Sequence, residues 1–270
     1  MASARAAVLP IGLFDSGLGG LSIALAIRER LPGEDLVYVA DSAYCPYGGR
    51  PVDEIRRRAL AISRFLARYP VKAIVIASNT TTGAAAEAVR AEQAVPVVGV
   101  EPAVKPAVAL TANRCIGVMA TASTLASDRF RRLVAAYAPG VRVIPLPCPG
   151  LVEHVESGRL DGPELRALLE RLLAPVRRER PDTLVLACTH YPFLRAAIQE
   201  VVGPTLRLIE TGPPVARQLE RVLRERDLLA SRPAGRIEMW TTGDPATVGP
   251  VAARLWGGPL DVRHLDVPSE

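Results

Sequence analysis

The sequence offers little from which to build a metal centre. Its four cysteines, Cys45, Cys115, Cys148 and Cys188, form no CxxC pair, and its three histidines, His154, His190 and His264, show no ligand spacing. A zinc site is therefore not expected. No block of five or six like charges occurs despite a net charge of +5. The scattered arginines describe a solvated surface, and no nucleic-acid partner is expected. No apolar run reaches the roughly 20 residues of a membrane span. The opening MASARAAVLP lacks the apolar core of a signal peptide. No membrane partner is expected, and a reducing cytoplasm with free thiols is the expected setting. Cys115 and Cys148 read as small buried apolar residues.

What is present is a chain of 270 residues, 49% hydrophobic, enough for one large or two medium domains with a sizeable core. Apolar runs alternate with helical patterns. Strands are predicted at Val8–Phe14 (interrupted by Pro10), Leu36–Ala40, Ile74–Ala77, Val95–Val100, Cys115–Met119 and Val141–Leu146, and in the run Leu184-Val185-Leu186-Ala187. Helices are predicted at Leu21–Leu31, Arg56–Tyr69, Ala84–Glu92, Leu165–Arg177 and Val215–Leu229, and late strands at Ile237–Thr241 and Val262–Leu265. Strand–helix alternation predicts an α/β fold with a mostly parallel sheet.

Two features recur in the same order. Ile74-Val75-Ile76-Ala77-Ser78 aligns without gaps on Leu184-Val185-Leu186-Ala187-Cys188, 110 positions later, and Ile11-Gly12-Leu13-Phe14 resembles Ile116-Gly117-Val118-Met119, 105 positions later. The pattern predicts two pseudo-symmetric domains, each a mostly parallel sheet flanked by helices. The first is expected over 1–100 plus 213–270 and the second over 101–212, with the active site in the inter-domain cleft.

The strand ends carry the polar groups. Asp15-Ser16-Gly17-Leu18-Gly19-Gly20 joins a strand to a helix, which suits a small carboxylate or phosphate, or a tight turn in which Asp15 or Ser16 caps the helix. Cys188 is followed by Thr189 and His190, a setting that can lower a thiol pKa from its usual value of about 8.5. A strand-end group from each half would suit inversion of a carbon centre, with a base on one face and an acid on the other.

Five segments in order, DSGLGG, DSAYCPYG, SNTTT, ATASTLAS and LACTHYPFL, resemble glutamate racemase of the aspartate/glutamate racemase family, over about Ile11 to Arg217. The resemblance implies cofactor-free, two-thiol racemisation of L- and D-glutamate, supplying D-glutamate for peptidoglycan, and leaves a homodimer open. By position it makes Asp15 and Ser16 contact the substrate amino group and assist proton transfer. Pro46, Tyr47 and Gly48 would line the side-chain carboxylate site, and Asn79, Thr80, Thr121 and Thr124 would hold the carboxylates. Thr189 would bind substrate beside Cys188, the base for the L-enantiomer. His190 would support Cys188, Glu153 would stand further out, and Asp41 and Ser42 would shape their loop.

One position departs from the family pattern. At the third strand end the pattern reads Ala-Cys-Asn-Thr, and this chain reads Ala77-Ser78-Asn79-Thr80. The missing cysteine would be the base for the D-enantiomer, and a serine hydroxyl has no accessible ionised form near pH 7. An engineered Cys→Ser change that traps a substrate complex, a natural paralogue that binds without racemising, and an enzyme that recruits another base are the three readings. Rival functions are a non-catalytic amino-acid or partner-binding protein, and a racemase for aspartate or a hydantoin. The PYG loop and the threonines favour a substrate with a second carboxylate.

Overall fold

The computed structural model describes residues 6–267. The chain forms two compact units. One takes the residues up to Val100 and those from Gly212 onward; the other is Glu101–Thr211.

The first unit holds a six-stranded sheet: β1 (Ile11–Asp15), β2 (Leu36–Ala40), β3 (Ala73–Ile76), β4 (Val97–Gly99) and, after the second unit, β9 (Ile237–Thr241) and β10 (Val262–His264). The second unit holds four strands: β5 (Cys115–Ala120), β6 (Arg142–Pro147), β7 (Thr183–Leu186) and β8 (Arg207–Glu210). The sheet orders are β10-β9-β2-β1-β3-β4 and β6-β5-β7-β8, and every neighbouring pair is parallel. The order 2-1-3-4 of the first sheet thus recurs as 6-5-7-8 in the second, in step with the two sequence echoes.

The apolar composition of the central strands explains their place. β1, β2, β3, β5 and β7 are buried along their whole length, as continuous apolar runs in a parallel sheet must be. In the first unit, Phe14, Val37, Val39, Ile74 and Ile76 pack against Ala59, Ile62 and Leu66 of the helix Val52–Arg68 and Ala85, Ala86 and Val89 of the helix Asn79–Glu92. In the second, Ile116, Val118 and Val185 pack with Val104, Ala107 and Phe130. Each fully buried Leu, Ile or Phe contributes about 1.5–3 kcal/mol. The glycine shared by the β1 and β5 echoes has a packing cause. A Cβ on Gly12 would meet Leu66 at 3.1 Å, and one on Gly117 would meet Leu184 at 2.7 Å.

Several element ends differ from the sequence expectation. β1 starts at Ile11 and not Val8, because the ladder begins where the Ile11 N–H donates to the Asp35 carbonyl, one residue past the donor-less Pro10. The helix expected from Arg56 starts at Val52, behind Pro51, with Asp53 and Glu54 in its first turn. The helix expected over Leu165–Arg177 is two, Pro163–Leu172 and Ala174–Glu179, broken just before Pro175. The helix expected over Val215–Leu229 is Gly212–Arg224: Pro213 and Pro214 are accepted in its first turn, and the chain turns out of helix by Asp227, at φ 56°. The helix expected from Ala84 starts at Asn79. Ser78 is the N-cap of the helix Asn79–Glu92, so the threonines form its first turn. Among the described residues, no helix is long and apolar enough to cross a membrane.

Candidate active site

Open parallel sheets bind ligands beyond the carboxyl ends of their strands, where the strand order reverses. That reversal falls beside β1 and β3 in the first sheet and beside β5 and β7 in the second. The residues singled out in the sequence stand at or just beyond the ends of these four strands: Asp15 and Ser16, Ser78 to Thr80, Thr121 to Thr124, and Cys188 to His190.

In the first unit Asp15 is buried, and both its oxygens accept from the turn that follows. The Ser16 N–H donates to Oδ1 at 2.6 Å and the Gly20 N–H donates to Oδ2 at 2.7 Å. The Tyr38 hydroxyl fixes the same turn by donating to the Gly17 carbonyl at 2.7 Å. The N-cap of the helix Leu21–Arg30 is Gly20, with Asp15 reaching it from five residues upstream. Of the two readings of this turn, the geometry shows the capped one: the protein's own carboxylate takes the Gly20 amide at that helix start. Ser78, also buried, accepts at Oγ from the Thr81 N–H at 3.3 Å. Asn79 and Thr80 follow it, half-buried.

The loop after β2 is anchored from within. Asp41, with no exposed surface, receives two bonds from Arg58, at 2.9 Å from Nε and 2.7 Å from Nη2, one from the Thr242 hydroxyl at 2.7 Å, and one from the Tyr47 hydroxyl. The Arg58 guanidinium also lies 4.0 Å from the centre of the Tyr44 ring. Burial, then the Asp41 carboxylate, pushes the Tyr47 phenol well above its ordinary range, so it stays a donor. Tyr47 is buried, Gly48 half-buried, and Pro46 exposed after a cis Cys45–Pro46 bond. Asp41 and Ser42 open a single 3-10 turn, Ser42–Tyr44, in which their carbonyls accept from Tyr44 and Cys45.

In the second unit Thr121 caps the short helix Ala122–Ala126. Its Oγ accepts from the Thr124 N–H at 3.3 Å and donates to the Thr124 hydroxyl at 2.9 Å. Across β5, β7 leads through Ala187 to Cys188, which is 8% exposed, and to the buried Thr189. Cys188 Sγ lies 3.7 Å from His190 Nδ1, and His190 Nε2 lies 2.6 Å from Glu156 Oε1. A carboxylate on Nε2 keeps that nitrogen protonated and leaves the Nδ1 lone pair to take a proton from the thiol. The three side chains form a relay that can yield a thiolate, an imidazolium and a carboxylate.

The carboxylate of this relay, Glu156, was not named from the sequence. Glu153 is exposed, whereas Glu156, three residues on along the helix Leu151–Glu156, is half-buried and faces His190. Two acidic residues one helical turn apart were equally available by composition, and only the helix phase chooses between them. Cys148 is buried, as expected, and donates to the Leu146 carbonyl at 3.2 Å; burial, and then Cys188, pushes its thiol up to about 12. Sequence reasoning missed Tyr191, whose hydroxyl donates to the Cys148 carbonyl at 3.1 Å with no exposed surface. Neither unit by itself, among the described residues, gathers three Cys, His, Asp or Glu side chains as metal ligands.

Residues 21–219 match the Asp/Glu/Hydantoin racemase family. The chain is 50% identical over 258 residues to a glutamate racemase of Pseudomonas aeruginosa, covering 95% of this chain and 97% of that one. Its structure is similar to that of Escherichia coli glutamate racemase in complex with L-glutamate and an activator, with a TM-score of 0.85 at 32% identity over 96% of this chain and 99% of that one. It is equally similar to Francisella tularensis glutamate racemase in complex with D-glutamate, with a TM-score of 0.85 at 28% identity over 98% and 99%. With its repeated parallel sheets, its strand-end thiol and this likeness along nearly its whole length, the chain belongs to the glutamate racemases of the Asp/Glu/hydantoin racemase family.

Proposed function

We propose that the protein is an amino-acid isomerase that interconverts L- and D-glutamate by proton transfer at the α-carbon, without a cofactor. The observation that carries this reading is half-identity to a glutamate racemase along nearly the whole of both chains, together with two similar structures that hold one enantiomer each. The cytoplasmic supply of D-glutamate for peptidoglycan is the corresponding biological role.

In this reading Cys188 removes the α-proton of L-glutamate. Its own proton passes to His190 Nδ1, and Glu156 stabilises the imidazolium that results. Thr189, Thr121 and Thr124, with Asn79 and Thr80, hold the carboxylates. Asp15 and Ser16 bind the amino group, and the loop of Pro46, Tyr47 and Gly48 takes the side-chain carboxylate. The opposite proton transfer falls to Ser78, which is a weak base. Its setting nevertheless suits a thiolate: it caps a 14-residue helix, and its side-chain atom receives an amide N–H. A helix N-terminus lowers a thiol pKa.

Ser78→Cys is the test, followed by circular dichroism of L- and D-glutamate. Racemisation is expected to rise by about 10²–10⁴-fold, the usual contribution of a general base. A Ser78→Cys protein no faster than the parent would remove Ser78 from the role of second base. Tight glutamate binding without turnover in either protein would favour the non-catalytic reading that Ser78 invites.

A further inference from the structure

Resting on the proposed role of Cys188 as a base, one buried group beside it has no part in the relay just described. Tyr191 follows His190 directly and opens the short 3-10 turn Tyr191–Leu194. Its backbone N–H donates to the Cys188 carbonyl at 3.1 Å, which ties the turn to the residues that follow β7. Its hydroxyl donates to the Cys148 carbonyl at 3.1 Å, and the Cys188 side chain is close enough to act on it electrostatically. The ring is fully buried, so its hydroxyl has the Cys148 carbonyl as its acceptor and no ready access to bulk water.

We infer that Tyr191 is a positioning residue for the thiolate: its hydroxyl bonds the Cys148 carbonyl while Cys188 is a thiol, and turns its proton onto the Cys188 sulfur once that sulfur is charged. The proton count is simple. Cys188 gives its S–H proton to His190 Nδ1, the phenol keeps its own proton and rotates about its C–O bond, and no covalent bond of Tyr191 breaks. The phenol suits this because burial, then Cys188, Cys148 and Glu153, drive it well above its usual range, so it remains a donor at every working pH. A donor to an ionised acceptor gives roughly twice the stabilisation of a neutral hydrogen bond, so the switch favours the charged form of the thiol. Cys148 is not itself a second base here, since its own thiol is held protonated and donates to Leu146. Its part is the resting acceptor.

The test needs no substrate. Iodoacetamide labelling of Cys188 in the full chain, read by peptide mass spectrometry so that the other three thiols are separated, gives a rate against pH. Tyr191→Phe is expected to slow labelling at pH 7 about tenfold and to move the profile to higher pH. Site-specific 3-fluorotyrosine at 191, a stronger donor of nearly the same shape, is expected to move it to lower pH. A structural role alone would leave the fluorinated protein unchanged, and that arm decides the matter if Tyr191→Phe does not fold. Identical profiles for all three proteins would overturn the inference. α-Hydrogen exchange of L-glutamate in heavy water is the companion measurement, with kcat falling in Tyr191→Phe and KM nearly unchanged. Shifted labelling with no exchange in the parent would sink the racemase reading and leave the Tyr191 switch standing; exchange with unshifted labelling would do the reverse.

Discussion

Glu156 Oε1 sits 2.6 Å from His190 Nε2, and the opposite ring nitrogen sits 3.7 Å from the Cys188 sulfur. The carboxylate fixes which nitrogen of the ring is free to accept the thiol proton, so the direction of proton flow is written into one contact. Glu156→Gln keeps the shape and reverses that preference, since an amide can donate to Nε2 and leave the proton on Nδ1. Exchange of the α-hydrogen of L-glutamate in heavy water is expected to fall about 10²-fold or more, by analogy with tautomer reversal in a Ser–His–Asp triad. Glu153→Gln, on the exposed side of the same helix, is expected to change it by less than about twofold. Equal losses from both variants would refute the assignment of Glu156.

Asp41 and Arg58 form a buried, two-bond ion pair. Removing one partner of such a pair strands the other charge and costs about 3–5 kcal/mol. Asp41→Asn is expected to lower the thermal midpoint by at least several degrees and to loosen the Tyr47 loop, which limited proteolysis at 42–50 would detect. An unchanged midpoint would mean that the pair is not buried in solution.

Burial holds the Cys148 thiol up at about 12. A thiol whose folded value is raised favours the folded state while it stays protonated, and that preference is lost as pH climbs from about 9 toward 12. In the folded protein at pH 8, Cys148 should be the slowest of the four cysteines to alkylate. In denaturant it should match the rest, and fast labelling in the native state would contradict its burial.

At the far end of β7, Asp182 accepts from the Ala112 N–H at 2.7 Å and the Asn113 N–H at 2.9 Å. Desolvation opposes its ionised form, but Thr111 and these amides outweigh it and hold the carboxyl below its ordinary value. A depressed carboxylate adds stability above its unfolded pKa of about 4, and that stability drains away as pH falls through the lower folded value. Asp182→Asn should therefore unfold more easily than the parent at pH 7, with the gap in urea midpoint narrowing as pH falls below about 4. A gap independent of pH would show that the charge is not what matters.

Much of the architecture could be read from apolar periodicity, because strands buried on both faces announce themselves as unbroken runs, as Ala73–Ile76 and Thr183–Leu186 do. Residues at strand ends were equally visible, since Ser78 and Cys188 each follow an apolar run. Three things were not visible. The choice of Glu156 over Glu153 depends on helix phase in a six-residue helix too short to show a period. That Asp15, and not Ser16, accepts from the Gly20 N–H depends on how the turn between them closes. Tyr191 looked like one more aromatic beside a proline, and only a tertiary contact with Cys148 gives it a role.

The second unit is an unbroken stretch inserted between β4 and the helix Gly212–Arg224, while the first is assembled from two pieces of chain. During synthesis the ribosome releases β5 to β8 complete before β9 and β10 exist. The inserted unit can therefore reach its native form while its host still lacks the two strands that finish the β2 edge, an order of maturation set by nesting alone.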